Sequence, residues 1–468
     1  MAFTGCPAQL ATQLAQYARK LAAKVDLGCG QLTVPLDYAA SDGEQIKLQL
    51  IRARHHEQHD RIGSLVFHPG GPGFPGVEYT PYLLSWLPES VLERFDVISL
   101  DPRGTGGSAP INCPAPPVDS QPAPNVLTES GFARAVAAER RQSKLCLDVL
   151  GSRARYFTTQ AAARDVDRLR AAVGDEELTF LGLSYGAKLG AEYAHQFPVK
   201  VRAAVLDGPS EPSSTLFDSI VRSAKGFEES FDVYARGCPS RPACQLGNPR
   251  TFVTRLVTSA DATPIPSRHR VDKRAATGTD VLSAVRNALY DKVRWADLDE
   301  VLYDAGHFHI GDGVLAMAEA GFGPPVDDSA PADPRDANYV INCNDSAVGP
   351  TDDQIRTTAR TMARDYPLFG SHDAFNLFVC KTWQPDRAAL EAPTAATRNP
   401  LLVVGTIHDA ATPYVGAVAL TKILGNATLL TWEGDNHTAM AYSGCVADAA
   451  ARYLIDLTLP AEGTRCPP

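Results

Sequence analysis

Six short runs in which nearly every side chain is apolar punctuate the chain, at 64–67, 95–100, 178–181, 201–206, 401–404 and 427–431. Each ends at a loop containing Gly or Asp. A short apolar run without polar alternation fits a strand buried on both faces, as in a mostly parallel sheet. Between the runs lie segments of helical period; across 159–173, Ala163, Val166 and Leu169 recur among charged residues. Strands alternating with helices predict an α/β sheet. The alternation stops after Leu206. From about 210 to 395 the chain reads as amphipathic helices and polar loops, with breaks at Pro324-Pro325 and Ala330-Pro331, and strand-like runs resume at Leu401. The expected organisation is a core begun by 1–209, interrupted by a mainly helical cap over 210–395 and completed by 396–468. The Pro- and Ala-rich stretch 110–125 reads as an extended surface loop, and no repeat of fixed period is present.

At 468 residues the chain has room for two or three domain-sized units. Hydrophobic residues at 44% and charged residues at 21% are ordinary globular usage, sufficient for a large core. The net charge of −10 argues against a nucleic-acid groove, which needs clustered Lys and Arg. It equally disfavours a basic membrane-surface patch. No apolar run approaches the roughly 20 residues of a bilayer-spanning helix, so a soluble protein is expected. The opening Met1-Ala2-Phe3-Thr4-Gly5-Cys6 has no charged region followed by an apolar stretch, so no secretory signal is expected within the chain; a leader already removed would leave the same start. Ten cysteines lie at 6, 29, 113, 146, 238, 244, 343, 380, 445 and 466. None forms a CxxC pair and their spacing to His fits no common zinc site, so no metal is called for. Paired in chain order, Cys6–Cys29, Cys113–Cys146, Cys238–Cys244, Cys343–Cys380 and Cys445–Cys466 would staple local loops of a secreted protein. Sequence leaves that connectivity open, and ten unpaired core thiols in a cytosolic enzyme are the alternative. Persistence of paired cysteines in oxidising compartments favours an extracellular or cell-envelope location.

Gly182-Leu183-Ser184-Tyr185-Gly186 follows a strand-like run and opens a helical one over 187–197, which Pro198 stops. That is the context a G-x-S-x-G nucleophile elbow requires, with small residues letting neighbouring backbones approach a strained turn. A serine hydroxyl is a weak nucleophile until a base takes its proton. In this arrangement an acid and a histidine should follow the serine in that order. Asp409 lies just past the run at 401–404 and His437, in Gly434-Asp435-Asn436-His437, just past the next. Both loops would emerge at the carboxyl edge of the sheet, His437 as base and Asp409 holding its imidazole. Asp435 competes as the acid, and His408 and His372 as bases. An oxyanion needs backbone donors, assigned to Gly71 N–H in Pro69-Gly70-Gly71-Pro72-Gly73 and to Tyr185 N–H. Asp101-Pro102-Arg103-Gly104 has no G-K-[ST] sequel and no Rossmann spacing, so it reads as a structural loop and no cofactor is called for. Lys188, one helical turn past Ser184, reads as a solvated or salt-bridged residue.

Together, Pro69-Gly70-Gly71-Pro72-Gly73, Asp101-Pro102-Arg103-Gly104, Gly182-Leu183-Ser184-Tyr185-Gly186, Asp409 with Thr412-Pro413, and Gly434-Asp435-Asn436-His437 resemble secreted actinobacterial tripeptidyl aminopeptidases. These are α/β-hydrolase serine peptidases related to proline iminopeptidases, with a helical cap and a characteristic C-terminal segment. The likeness runs from Cys29 and Val34-Pro35-Leu36-Asp37-Tyr38 to Thr458-Leu459-Pro460 and Cys466. It implies Ser184, Asp409 and His437 as catalytic residues and release of short peptides, di- or tripeptides, from a substrate with a free N-terminus. It also implies Asp345, in Val340-Ile341-Asn342-Cys343-Asn344-Asp345, as the partner of the substrate ammonium. Pro69 stands where related proline iminopeptidases carry His, which removes the expectation of proline specificity. Two other readings share these residues: an esterase or amidase of the same fold, and a catalytically silent cell-envelope binding protein.

Overall fold

The computed structural model describes residues 1–114, 124–212, 215–320, 333–387 and 389–468. The Pro-containing breaks at 324–325 and 330–331 and most of the loop expected over 110–125 lie outside the described residues. All six apolar runs become strands. The sheet is built from β1 (Thr4–Gly5), β2 (Val25–Pro35), β3 (Gln45–His55), β4 (Gly63–His68), β5 (Phe95–Leu100), β6 (Leu178–Leu183), β7 (Val201–Asp207), β8 (Leu401–Thr406), β9 (Ala427–Trp432) and β10 (Arg465–Cys466). Their order is β1-β2-β3-β5-β4-β6-β7-β8-β9-β10. From β5 to β10 every pairing is parallel, whereas β1, β2 and β3 add an antiparallel edge.

The side-chain period of two sorts the strands between two cores. Leu65, Phe67, Val97, Leu181, Val205, Leu402 and Val404 face one side, against Leu83 and Leu84 and against Val446, Ala450 and Tyr453 of helix Gly444–Asp456. Val66, Ile98, Phe180, Ala204, Leu206 and Val403 face the other, against helices Thr159–Val173 and Tyr185–Gln196. A sheet covered on both faces has no solvent side, which is why its strands carry no polar alternation. Truncating one of these fully buried leucines to Ala costs about 2–5 kcal/mol.

β2 and β3 escaped the sequence reading. Apolar and polar residues alternate along the first half of β3, as Ile46 and Leu48 turn inward between more exposed neighbours. That is the signature of a half-solvated antiparallel strand, not of a continuous apolar run. The five disulfides join the cysteines in chain order, with no free cysteine among the described residues. Two of them end in the two-residue edge strands: Cys29 of β2 holds Cys6 beside β1, and Cys445 holds Cys466 of β10. The Asp101 loop is structural as expected. Arg103, fully buried, gives Asp165 two hydrogen bonds of 2.7 Å and donates to the carbonyls of Leu36 and Tyr156 at 2.9 Å.

Between β7 and β8 the chain is helical. Helices Leu216–Gly237, Pro249–Ala262, Gly278–Leu289, Trp295–Phe308 and Asp312–Glu319 bury Phe227, Phe231, Val253, Val281, Leu298 and Leu315 in a core of their own. Helix Pro334–Asn344 instead sends Ala337, Val340 and Ile341 into the core that contains Val66 and Phe180. The later part of the insertion therefore packs on the sheet layer, not only on the cap.

Candidate active site

β4 pairs with β5 on one side and β6 on the other, so the order of strands reverses at β4. The loops leaving the carboxyl ends of β4 and β6 diverge there, which leaves a crevice where ligands bind in open α/β sheets. The crevice opens into a cavity of about 1500 Å³ whose wall includes Gly71, Ser184, Tyr185, Thr412 and His437 from the core. The insertion supplies the opposite wall, with Glu211, Asp280, Tyr290 and Glu319.

Ser184 sits between β6 and its helix with φ 56° and ψ −119°. A non-glycine residue in the left-handed region costs about 1–3 kcal/mol and persists only where its surroundings over-determine it. The turn is held by Ser184 N–H donating to Asp207 O at 2.8 Å and by Ala187 N–H returning to Ser184 O at 2.9 Å. The flanking glycines are required by close approach. A Cβ on Gly182 would lie 2.2 Å from Gly186 O, and one on Gly186 would lie 2.5 Å from His68 O. Tyr185 opens the helix, so its N–H has no intrahelical acceptor. Gly71 lies across the crevice at φ +107°, where a Cβ would meet Gly73 N at 2.7 Å. The preceding turn is stiffened by His68, whose Nδ1 accepts Gly70 N–H at 3.1 Å. Burial pushes that imidazole down to about 3, so it stays neutral.

His437 and Asp409 meet behind the cavity wall. Nδ1 of His437 lies 2.9 Å from both carboxylate oxygens of Asp409. Because an ionised carboxylate only accepts, Nδ1 carries the proton and Nε2 is left as the basic nitrogen. Asp409 is itself fixed: Oδ1 accepts from Ala411 N–H at 2.9 Å and Thr412 N–H at 2.8 Å, and Oδ2 from Thr412 Oγ1 at 3.0 Å and Thr438 N–H at 3.2 Å. His437 is gripped from the cap as well. Its N–H donates to Tyr290 O at 2.9 Å, and the Tyr290 ring meets the imidazole edge-on at 5.5 Å between centroids.

Asp435, the alternative acid, is taken by His408 Nδ1 at 2.8 Å and by Lys292. His408 and Asp435 thus satisfy each other outside the His437–Asp409 pair. His372 bonds Asp373 at 3.2 Å in the insertion. Asp345 reaches the cavity wall but its side chain is only 1% exposed. Oδ1 accepts Thr159 N–H at 3.0 Å and Oδ2 accepts Thr159 Oγ1 at 2.5 Å, while the Tyr185 hydroxyl is 2.6 Å from the same Oγ1. Burial pushes the Asp345 carboxyl up, against the pull of Lys188, whose Nζ lies 3.8 Å from Oδ2. Asp345 is therefore buried against Thr159, with a resident ammonium beside it.

Three supporting residues were given no role from sequence, although Thr412 was noted beside Asp409. Thr412 bridges Asp409 and His437, its Oγ1 3.2 Å from Nδ1. Asp207 is fully buried, and its carboxylate accepts Ala439 N–H at 2.9 and 3.0 Å and Met440 N–H at 2.9 Å, tying the His437 loop to the strand that also holds Ser184. Burial pushes Asp207 up to about 6, against the pull of those donors. A signal was present in an Asp closing an apolar strand. For Tyr290, far along the chain in a cap helix, there was none.

Residues 63–441 match the family described as alpha/beta hydrolase fold. The chain is 34% identical over 457 residues to serine protease Hip1 of Mycobacterium tuberculosis, an alignment that covers 94% of this chain and 87% of that protein. It is 32% identical over 461 residues to carboxylesterase B of the same species, covering 94% and 86%. To tripeptidyl aminopeptidase of Streptomyces coelicolor it is 29% identical over 468 residues, covering 94% and 83%. A mostly parallel sheet with a helical insertion between β7 and β8, a strained serine after β6 and these relatives lead to one family. The chain belongs to the alpha/beta hydrolases, as a serine hydrolase of their tripeptidyl-aminopeptidase-like peptidase group.

Proposed function

We propose that the protein is a serine exopeptidase that releases short peptides, di- or tripeptides, from free N-termini through an acyl-enzyme on Ser184. His437 Nε2 takes the hydroxyl proton as Oγ attacks the scissile carbonyl, then returns it to the leaving amine. Asp409 holds the imidazole in the Nδ1–H tautomer and stabilises the imidazolium. Gly71 N–H and Tyr185 N–H stabilise the tetrahedral oxyanion. The observation that carries the reading is the equidistant 2.9 Å contact of His437 Nδ1 with both oxygens of a buried, fully hydrogen-bonded Asp409, on the wall that Ser184 shares.

The exopeptidase specificity is supported by the relative named tripeptidyl aminopeptidase. Among the described residues five carboxylates line the cavity (Glu211, Asp280, Glu319, Asp333, Asp345) with three side-chain cations (Lys188, Arg274, Arg335), and Arg222 and Arg270 pair with Glu211 and Glu319, so a substrate ammonium would have to compete with resident cations. We place it at the insertion wall and not at Asp345, whose side chain is 1% exposed and has Lys188 beside it. Five disulfides support a location outside the reducing cytoplasm, secreted or in the cell envelope.

The test is a panel of free and N-acetylated tripeptidyl-aminocoumarins beside short acyl esters, with fluorophosphonate labelling of wild type and Ser184→Ala. Cleavage of free but not blocked peptides, and labelling lost with Ser184, is the expected result. Equal turnover of blocked and free peptides removes the exopeptidase claim. Turnover of esters alone installs the second reading, an esterase, which the relative named carboxylesterase B favours.

A further inference from the structure

Lys188 follows Ser184 by one helical turn, about 6 Å along the axis, and lines the same cavity. Its side chain is 29% exposed. The other two cations on that wall are committed: Arg274 pairs with Asp280 and with Glu319, and Arg335 with Asp333. Lys188 differs. Its nearest carboxylate oxygen among the described residues, Asp345 Oδ2, is 3.8 Å away, beyond hydrogen-bond distance, and both Asp345 oxygens are already hydrogen-bonded by Thr159; Glu192, one turn further along the helix, adds a weaker attraction. Among the described residues no acceptor lies within hydrogen-bond distance of its ammonium, which has three donors to place. Partly covered and beside a buried carboxylate, this ammonium is drawn to Asp345 by charge but is not hydrogen-bonded by it.

We infer that Lys188 forms an anion subsite of the active site, which takes a carboxylate carried by the substrate one or two residues from the scissile carbonyl. The reach is short: an extended residue spans about 3.3–3.6 Å, and the Lys188 and Ser184 backbones stand about one helical turn apart on a cavity wall that both line. A charge-assisted bond in a partly closed cavity is stronger than a neutral one, so the subsite selects acidic substrates over their amide isosteres. The carboxylate has two possible sources, an Asp or Glu side chain on the acyl fragment or the free C-terminus of a short leaving fragment. Asp345 is then the group that orients Lys188 from behind. The inference rests on Ser184 being the nucleophile, but not on the substrate being a peptide.

The experiment reads ratios of kcat/KM within each protein, for wild type, Lys188→Met and Lys188→Arg. Three isosteric pairs are compared: tripeptidyl-aminocoumarins ending in Glu or Gln, tetrapeptides with a free or amidated C-terminus, and p-nitrophenyl hemiglutarate or pentanoate. In wild type at least one anionic member is favoured about tenfold or more. That ratio falls to about one in Lys188→Met and is largely restored in Lys188→Arg. The first peptide pair and the ester pair report a carboxylate on the acyl fragment, the second peptide pair one on the leaving fragment. No anionic preference in any wild-type pair, or a preference that survives in Lys188→Met, overturns the inference and leaves Lys188 as a counter-ion of Asp345. If peptides are not cleaved at all, the exopeptidase reading fails while the ester pair still decides the subsite.

Discussion

Replacing Asp409 by Asn changes one atom and reverses one hydrogen-bonding role. Oδ1 accepts two backbone N–H groups, from Ala411 and Thr412 at 2.9 and 2.8 Å, so the amide must keep its oxygen on that side. Its NH₂ then occupies the Oδ2 position, where the Thr412 hydroxyl can reverse and accept, and where Thr438 N–H at 3.2 Å is the one backbone group left in conflict. One imperfect buried hydrogen bond costs about 1–3 kcal/mol, so the fold should survive with a lower melting temperature. Catalysis should suffer far more. His437 Nδ1, which now faces an oxygen at either side, will meet a donor at the Oδ2 position and keep an acceptor at Oδ1, so the tautomer with its proton on Nδ1 loses its preference over the one protonated on Nε2. In the latter form that nitrogen can no longer take the Ser184 proton. The expected loss in kcat is about 10⁴-fold, equivalent to about 5 kcal/mol of barrier. Turnover of a tripeptidyl-aminocoumarin, thermal melting and the rate of fluorophosphonate labelling measure the three quantities together. A fall in kcat of less than tenfold in a folded variant would refute the tautomer argument.

Asp207→Asn puts an amide NH₂ against Ala439 N–H or Met440 N–H and so shifts the His437 loop. We expect about 10–100-fold lower kcat with KM changed by less than threefold, since misplacement of about 1 Å costs on the order of 10²; steady-state kinetics on a purified, folded variant check it. Arg103→Met leaves Asp165 buried without its cation, and should cost about 3–5 kcal/mol in denaturant unfolding, more than Asp165→Asn and Arg103→Met together if the pair is replaced as a unit. Asp101 is pushed up to about 7 by burial, against hydrogen bonds from Val77 N–H and Gly107 N–H. A raised carboxyl stabilises the fold fully below its unfolded value near pH 4, and that contribution is lost as pH rises through about 7. Between pH 4 and 8 the wild-type melting temperature should therefore fall relative to that of Asp101→Asn; parallel curves would count against the assignment.

The parallel strands were legible because burial on both faces demands apolar residues at every position, and six such runs stand out without any neighbour being known. β2 and β3 were not, because an edge pair with one wetter face alternates in a pattern shared by many loops and amphipathic segments. The site divides the same way. Ser184 carried its own local evidence, since the elbow needs glycines at 182 and 186 to admit Gly186 O and His68 O at distances a Cβ forbids. Asp409 and His437 followed from their places just past two strands. Asp345 was assigned to the substrate by resemblance alone, and nothing along the chain signalled that both its oxygens would meet Thr159, 186 positions away.

What the sequence determined by itself was the list of groups able to react and the order in which strands would present them, because strand burial and the nucleophile turn are governed by neighbours a few residues away. What only the tertiary structure decided was which of those groups share an environment. Tyr290 steadies an imidazole 147 positions further on, and Lys188 stands unsatisfied while Arg274 and Arg335 do not. Hydrogen bonds and ion pairs act over a few ångströms, and no pattern along the chain records which distant side chains the fold will bring within that range.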